Sequence, residues 1–241
     1  MIILFTDFSY NGPFVGQLKS AIYQVNNDIT IIDLMHDAPM FDIKHSACLL
    51  KSLYINLPDE SVVCCVVDPG VGSDRQAIVI KTDGKYFIGP DNGLFEYILR
   101  DNSNTLAYKI NFQPKTLSST FHGRDIFAPI AAQIHQNQFG SLELIGLTDI
   151  QRFDWDNNLA EIIYIDSFCN LTTGIVAESI SQKTIMKYQG YCISFVNTYA
   201  DMVGEQLFWY VNSNGLVEIG INSKNAAVQL NAQIGDVVEL I

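Results

Sequence analysis

The sequence is poor in charge, and especially in positive charge. Charged residues make up 17% of the 241 positions, and 14 basic residues face 26 acidic ones, for a net charge of −12. Nucleic-acid binding depends on a basic stripe that displaces phosphate counterions, and no such stripe is visible. Hydrophobic residues make up 48%, which is typical of a folded globular protein. We therefore expect no nucleic-acid partner.

Long apolar runs and metal-binding cysteine patterns are also missing. No stretch is long enough for a transmembrane helix, and the apolar run Met1–Phe5 is too short for a signal-peptide core. The cysteines are odd in number and lack zinc-type spacing; they are Cys48, Cys64, Cys65, Cys169 and Cys192. Buried free thiols fit a reducing compartment. These patterns predict a cytoplasmic protein without a membrane partner or a metal site.

The first part of the chain alternates strand-like and helix-like segments. Apolar runs at 2–6, 30–34 and 61–67 predict buried strands, and helical spacing of apolar residues follows the first two. Asp83-Gly84 between two β-rich runs predicts a hairpin. Alternation of this kind predicts an α/β domain over residues 1–150, with a mostly parallel sheet between helices.

The pattern changes near residue 150. Residues 151–158 are polar and poorly periodic, which predicts a linker. Short β-rich runs separated by turn signals then continue to the end of the chain, with almost no helix. This favours a small all-β domain over residues 159–241, an antiparallel barrel-like fold.

Two carboxylates follow apolar strands directly. Asp7 comes after the first strand and Asp68 after the third. In open α/β sheets the chemistry lies beyond the carboxyl ends of the strands, so both should lie at one edge of the sheet. Taken alone, Asp68 before Pro69-Gly70 could equally be a turn residue that binds its own backbone.

Five further motifs occur in order along the chain, after Thr6-Asp7-Phe8. They are Asp68-Pro69-Gly70-Val71-Gly72-Ser73-Asp74-Arg75, Pro90-Asp91-Asn92-Gly93-Leu94, Thr120-Phe121-His122-Gly123-Arg124-Asp125, Asp166-Ser167-Phe168-Cys169-Asn170 and Asn212-Ser213-Asn214-Gly215. The ordered set resembles the S-adenosylmethionine hydroxide adenosyltransferases, which are hydrolytic relatives of the fluorinases and chlorinases. The resemblance extends from about residue 2 to the C-terminus.

The resemblance implies hydrolysis of S-adenosylmethionine to adenosine and methionine, by attack of an activated water on the ribose 5′ carbon. It makes Asp68, Arg75 and His122 the catalytic triad and implies no separate cofactor. Arg75 cannot lose its proton, so it cannot be the base. His122 could accept a proton near neutral pH, and Asp68 could orient either partner. Which group takes the proton stays open at this stage.

Substrate contacts follow from the same resemblance. Asp7 matches the carboxylate that binds the ribose hydroxyls, and Phe41 matches an aromatic residue beside the ribose or sulfonium. Asp166 matches the contact to the methionine ammonium, and Ser213 the contact to its carboxylate. Adenine-side contacts match Phe168, Asn170 and Tyr199. The family's sites lie between the first domain of one subunit and the second domain of its neighbour, which implies a homotrimer.

Some positions depart from the family pattern. Ser9 stands where glycine is usual, Gly12 where aspartate is usual, Cys169 where glycine is usual, and Gly174 where asparagine is usual. These changes leave open a second reading, a non-catalytic module that binds S-adenosylmethionine or adenosine. A halogenase is disfavoured, because fluorinases carry tyrosine in place of Asp68 and serine in place of Gly123, and a carboxylate repels a halide.

Overall fold

The chain forms two compact units in a computed structural model that describes residues 1–100, 104–202 and 204–241. The first unit contains Met1–Ala47 with Asn56–Phe153, and the second contains Cys48–Ile55 with Asp154–Ile241. Each unit holds one seven-stranded sheet.

The first sheet has the strand order β2-β1-β3-β5-β4-β6-β7. Its strands are β1 (Ile2–Thr6), β2 (Ile31–Met35), β3 (Val62–Val66), β4 (Ala77–Thr82), β5 (Lys85–Pro90), β6 (Leu106–Ile110) and β7 (Leu142–Ile145). β1 and β3 are buried throughout, as their continuous apolar sequences predict.

The expectation of a mostly parallel sheet is not confirmed, because this sheet is mixed. β1 pairs in parallel with β2 and β3, and β3 with β5. The pairs β4–β5, β4–β6 and β6–β7 are antiparallel. The tight turn at Asp83-Gly84 reverses the chain between β4 and β5, and β6 and β7 then extend the antiparallel half. The parallel half contains β1 and β3, the strands that Asp7 and Asp68 follow.

Helices α1 (Phe14–Val25) and α4 (Ala128–His135) pack on the parallel strands of this unit, and a π-helical turn at Gly123–Phe127 precedes α4. The unit also contains α3 (Glu96–Arg100) and the first residues of α2 (Ile43–Tyr54), whose remaining residues belong to the second unit. Leu18 and Ile22 of α1 and Ile130 and Ile134 of α4 are buried in one apolar cluster with β1 and β3. This packing anchors the helical segment that begins directly after His122.

The second sheet has the order β14-β10-β11-β12-β13-β9-β8. Its strands are β8 (Leu159–Ile165), β9 (Leu171–Val176), β10 (Met186–Tyr188), β11 (Tyr191–Phe195), β12 (Leu207–Val211), β13 (Leu216–Ile221) and β14 (Glu239–Leu240). Glu161 of β8 bridges to Val237, just before β14, so the two ends of the sheet approach each other. The sheet is therefore nearly a closed barrel, as expected, although β11 and β12 pair in parallel.

The core of the second unit lies on one face of this sheet. It includes Trp209 of β12 and Val217 and Ile219 of β13, and a short helix, α5 (Ala226–Leu230), packs on it. Of the helices in the described parts of the chain, none combines the length and the apolar character needed to cross a membrane.

Candidate active site

The two carboxylates predicted from the strand ends lie at the same edge of the first sheet. β1 and β3 are parallel neighbours in register from Ile2 and Val62 onward. The backbone N–H of Asp7 donates to the carbonyl of Val66, 3.4 Å away, so the two chains stay joined beyond the last paired residues. Asp68 follows two residues after β3 ends.

Asp68 and Arg75 form a buried, forked ion pair. Nε of Arg75 lies 2.9 Å from Oδ1 and 3.1 Å from Oδ2 of Asp68, and Nη2 also donates to Oδ2. The two side chains are only 5% and 6% exposed, respectively. The guanidinium also stacks on Phe127 with its carbon 5.2 Å from the ring centre. Two donors on one carboxylate fix both groups in orientation.

His122 completes the predicted triad. Nη2 of Arg75 lies 3.0 Å from Nδ1 of His122. Because an arginine only donates hydrogen bonds, Nδ1 must be the unprotonated ring nitrogen. Burial, together with the nearby Arg75 charge, lowers the pKa of His122 below its ordinary value. A neutral His122 therefore carries its proton on Nε2.

A cleft of about 320 Å³ opens beside this triad. Asp68 and His122 are among its lining residues, together with Asp7, Phe8, Phe14, Met40, Phe41, Val66, Val71, Thr120, Phe121 and Gly123. Arg75 does not line it, and instead joins its two triad partners from behind. The cleft thus combines two carboxylates and one imidazole with mainly apolar walls, which suits a ligand with polar and apolar parts.

Asp7 and Phe41 meet in this cleft. The backbone N–H of Phe41 donates to Oδ2 of Asp7 at 3.0 Å. Burial raises the pKa of Asp7, and the Asp68 charge adds to the effect. The ring of Phe41 is 70% exposed, and its backbone has a left-handed φ of 60°. An aromatic face is therefore presented to solvent directly beside the carboxylate.

Asn92 and Gly72, both within the motifs, hold the triad in place, a role that the sequence alone does not show. The amide of Asn92 donates to the carbonyl of Val67 at 2.9 Å, just before Asp68. Gly72 has a φ of 84°, and a Cβ there would overlap the carbonyl oxygen of Ser119. The loop that carries Asp68 and Arg75 therefore packs directly on the loop that leads to His122. The glycine and asparagine of these motifs were the signal available in the sequence.

The remaining predicted residues lie in the second unit. Asp166 is committed to its own turn: Oδ1 accepts from the backbone of Phe168 and Asn170, at 2.9 and 2.8 Å, and Oδ2 accepts from the Asn170 side chain at 3.0 Å. Phe168 projects from this turn and is 78% exposed. The carboxylate that the resemblance assigns to the substrate ammonium thus also shapes the turn that presents Phe168 and Asn170.

Tyr199 lies close to Asn170. Both side-chain oxygens border the same glycine, Gly220, where a Cβ would sit 3.1 Å from the Tyr199 hydroxyl and 3.2 Å from Asn170 Oδ1. Ser213 is exposed in the turn between β12 and β13. The structure therefore brings Asp166, Phe168, Asn170 and Tyr199 into one group, with Ser213 on a neighbouring turn.

The departures from the family pattern have distinct structural consequences. Ser9 and Cys169 both adopt left-handed backbone, with φ of 59° and 65°. A side chain in this conformation costs about 1–2 kcal/mol, so both positions favour the glycine usual in the family. Gly174 is different, since a Cβ there would lie 2.7 Å from the Cβ of Leu159. The close packing of β8 on β9 at this point leaves no room for a side chain at position 174.

No group of three His, Cys, Asp or Glu side chains is arranged to hold a metal ion within residues 1–100, 104–202 and 204–241. Asp68 and His122 instead each form a hydrogen bond with Arg75.

Family models match both units of the chain. The model described as the SAM hydroxide adenosyltransferase N-terminal domain matches residues 2–146, and that of the C-terminal domain matches residues 160–239. The chain belongs to the SAM hydroxide adenosyltransferase family. An (R)-S-adenosyl-L-methionine hydrolase from Methanocaldococcus jannaschii is 34% identical, over 100% of this chain and 95% of that protein.

Two further proteins, one of known crystal structure and one fluorinase, also match nearly the whole chain. A conserved protein of known crystal structure from Thermotoga maritima has a TM-score of 0.88 at 27% identity, and the match covers 100% of this chain and 99% of that one. A fluorinase from Actinopolyspora mzabensis is 21% identical, over 98% of this chain and 95% of that protein. This chain is thus more similar in sequence to the archaeal hydrolase than to that fluorinase.

Proposed function

We propose that this protein hydrolyses S-adenosyl-L-methionine to adenosine and L-methionine. The observation that carries the proposal is the Asp68–Arg75–His122 chain at the wall of a cleft that also contains Asp7. The hydrolase from M. jannaschii supports it and is named for the (R) epimer at sulfur. We therefore extend the proposal to a preference for that epimer.

The chemistry needs a nucleophile rather than an acid. The sulfonium leaves as a neutral thioether, so the leaving group requires no proton. Water attacks the ribose 5′ carbon, the carbon–sulfur bond breaks with its electrons going to sulfur, and one proton must leave the water. Holding that water in line with the bond can supply up to about 7–11 kcal/mol, and a base adds about 10²–10⁴ in rate.

Asp68 is the best-placed proton acceptor in this arrangement. Arg75 cannot accept a proton, and Nδ1 of His122 already accepts a hydrogen bond from Arg75. Arg75 gives two hydrogen bonds to Oδ2 of Asp68 and one to Oδ1. We infer that Oδ1 takes the proton, while the Nε2–H of neutral His122 orients the attacking oxygen. Arg75 then acts by holding the other two groups in place.

The other predicted residues are assigned to contacts with the substrate. Asp7 accepts hydrogen bonds from the two ribose hydroxyls, a role that one carboxylate fills well. Phe41 covers the ribose or sulfonium, where a π face also attracts a cation. Asp166, Phe168, Asn170, Tyr199 and Ser213 bind the methionine and adenine ends. No separate cofactor takes part in this scheme. Residues 151–158 form the linker between the two domains that carry these contacts.

We further propose that three copies assemble, with the first domain of one subunit facing the second domain of its neighbour. The exposed rings of Phe41 and Phe168 support this, because each is a large apolar surface beside predicted binding groups. A homotrimer of this kind would cover both rings with substrate and partner.

Subunit complementation tests the shared site. Asp68→Asn disables the first domain and Asn170→Ala weakens substrate binding by the second, so each variant alone should have little activity at substrate concentrations well below KM. Co-expression should restore activity to a fraction of the wild-type value, because some sites then combine two intact domains from different subunits. Activity that stays at the level of the separate variants would rule out a shared site.

Product analysis tests the activity itself. Purified protein is incubated with each epimer of S-adenosylmethionine in halide-free buffer, and adenosine and methionine are separated by chromatography. We expect both products in equal amounts, formed faster from the (R) epimer. Ligand binding in calorimetry without adenosine would instead indicate a binding module, and a rate that requires halide would indicate a halogenase.

The lowered pKa of His122 predicts a specific pH dependence. The neutral ring is required, so kcat/KM should be constant above pH 6.5 and fall only as the pH drops through the lowered pKa. Protonation would remove the acceptor for Arg75 and place two cations side by side. Initial rates from about pH 5 to 9 measure this profile. The control is His135→Ala, which removes a histidine outside the cleft and should leave the profile unchanged. An acid limb centred above pH 6.5 would contradict the assignment of this limb to His122.

A further inference from the structure

A buried carboxylate in the second unit is used by none of the steps above. Glu218 lies on β13 and is 6% exposed. Its neighbours Val217 and Ile219 point into the core, so strand alternation directs Glu218 to the opposite face of the sheet. Gly220, which borders Tyr199 and Asn170, lies on that same face.

Three donors converge on this carboxylate. Tyr210 of β12 and Thr172 of β9 lie directly opposite Glu218 in the paired strands, and both hydroxyls donate to it, the Thr172 bond being 2.8 Å. The side-chain amide of Asn212 donates to Oε2 at 2.9 Å. A buried carboxylate with three donors is well satisfied, and loss of its charge would weaken these hydrogen bonds.

The hydrogen bonds around Glu218 extend through the Tyr210 hydroxyl to Tyr199. The hydroxyl proton of Tyr210 goes to Glu218, so its oxygen can only accept from Tyr199, whose hydroxyl lies 2.9 Å away. Tyr199 also packs edge-on against Phe208, with ring centres 5.0 Å apart. The hydrogen bond to Tyr210 and the aromatic contacts therefore fix its ring.

The same carboxylate holds a second turn. Through its side-chain oxygen, Asn212 also accepts hydrogen bonds from the backbone of Asn214 and Leu216, both at 3.0 Å. These bonds shape the turn that presents Ser213. Glu218 thus fixes one residue assigned to the adenine end of the substrate and the turn of one assigned to the methionine end.

We propose that Glu218 is a positioning residue that orders both ends of the substrate-binding surface of the second domain. The inference rests on the proposed function. It predicts that Glu218 affects substrate binding and leaves the chemical step alone, because its contacts lie in the second unit and the triad lies in the first.

Glu218→Gln is the direct test, because glutamine keeps the shape but turns one acceptor into a donor. We expect KM for S-adenosylmethionine to rise about ten-fold with kcat within about two-fold, as for a lost charge-assisted hydrogen bond. Tyr199→Phe should raise KM less, and the double variant should resemble Glu218→Gln, since the two residues act as one unit. Glu178→Gln, an exposed glutamate in the same unit, is the matched control and should change neither constant.

Tyr210→Phe is a second variant in case Glu218→Gln does not fold. This variant lacks the hydroxyl that joins Glu218 to Tyr199 but leaves the carboxylate two donors. It should also raise KM without lowering kcat. An unchanged KM in folded Glu218→Gln, or additive effects in the double variant, would overturn the role of Glu218. A wild-type protein that turns over no S-adenosylmethionine would instead overturn the proposed function.

Discussion

Asp68→Asn is expected to lower kcat by about 10²–10⁴ while changing KM by less than about three-fold. Asparagine has the same shape but cannot accept the proton of the attacking water. The substrate contacts assigned to Asp7, Phe41 and the second domain remain, so binding should persist. Steady-state rates and calorimetric affinity for S-adenosylmethionine measure the two effects separately.

Asp74→Asn is the control for this change. It is the same substitution in the same loop, on an exposed carboxylate, and it should leave both constants unchanged. Asp68→Asn also removes the buried partner of Arg75, which can cost about 3–5 kcal/mol of stability, so rates should be measured well below the variant's melting temperature. His122→Ala should lose less activity than Asp68→Asn, and the reverse order would make His122 the proton acceptor.

Gly72→Ala is expected to lower kcat at least about ten-fold and to lower the melting temperature. Gly72 has a φ of 84°, which costs an L-residue about 1–2 kcal/mol, and its Cβ would overlap the backbone of Ser119. The two loops must move apart, and this separates Arg75 from His122. Misplacement by about 1 Å can cost about 10² in rate.

Gly70→Ala distinguishes this effect from a general loss of loop flexibility. A Cβ on Gly70 would lie 3.5 Å from Ser73 Oγ and 3.9 Å from Asp68 Oδ1, both ordinary contacts, and the φ of Gly70 lies outside the left-handed region. This variant should retain nearly full activity and stability. Equal losses at both glycines would mean that the loop contact with Ser119 does not align the triad.

Much of the first unit was predictable because its buried strands are continuous apolar runs. β1 and β3 coincide closely with the predicted segments 2–6 and 61–67, and the carboxylates that follow them do lie at one edge. β6 and β7 escaped prediction, since both are short and lie beside polar segments. Their antiparallel pairing, which no local pattern encodes, makes the sheet mixed instead of mostly parallel.

The sequence predicts the candidate site more fully in the first unit than in the second. Asp68, Arg75 and His122 came from the motifs, and the structure joins them by hydrogen bonds. The tautomer of His122 could not be read from the sequence, because it depends on which ring nitrogen faces Arg75. Glu218 was also missed, since a single acidic residue in an apolar strand shows nothing of the three donors that converge on it from neighbouring strands.

The forked pairing of Asp68 with Arg75 has a consequence for competing nucleophiles. The positive charge of the Arg75 guanidinium is neutralised by Asp68, and Asp7 adds a second carboxylate to the same cleft. A chloride ion would meet repulsion there, whereas a water molecule would meet acceptors for its protons. The sign of the local potential thus favours water over halide ions without a size filter.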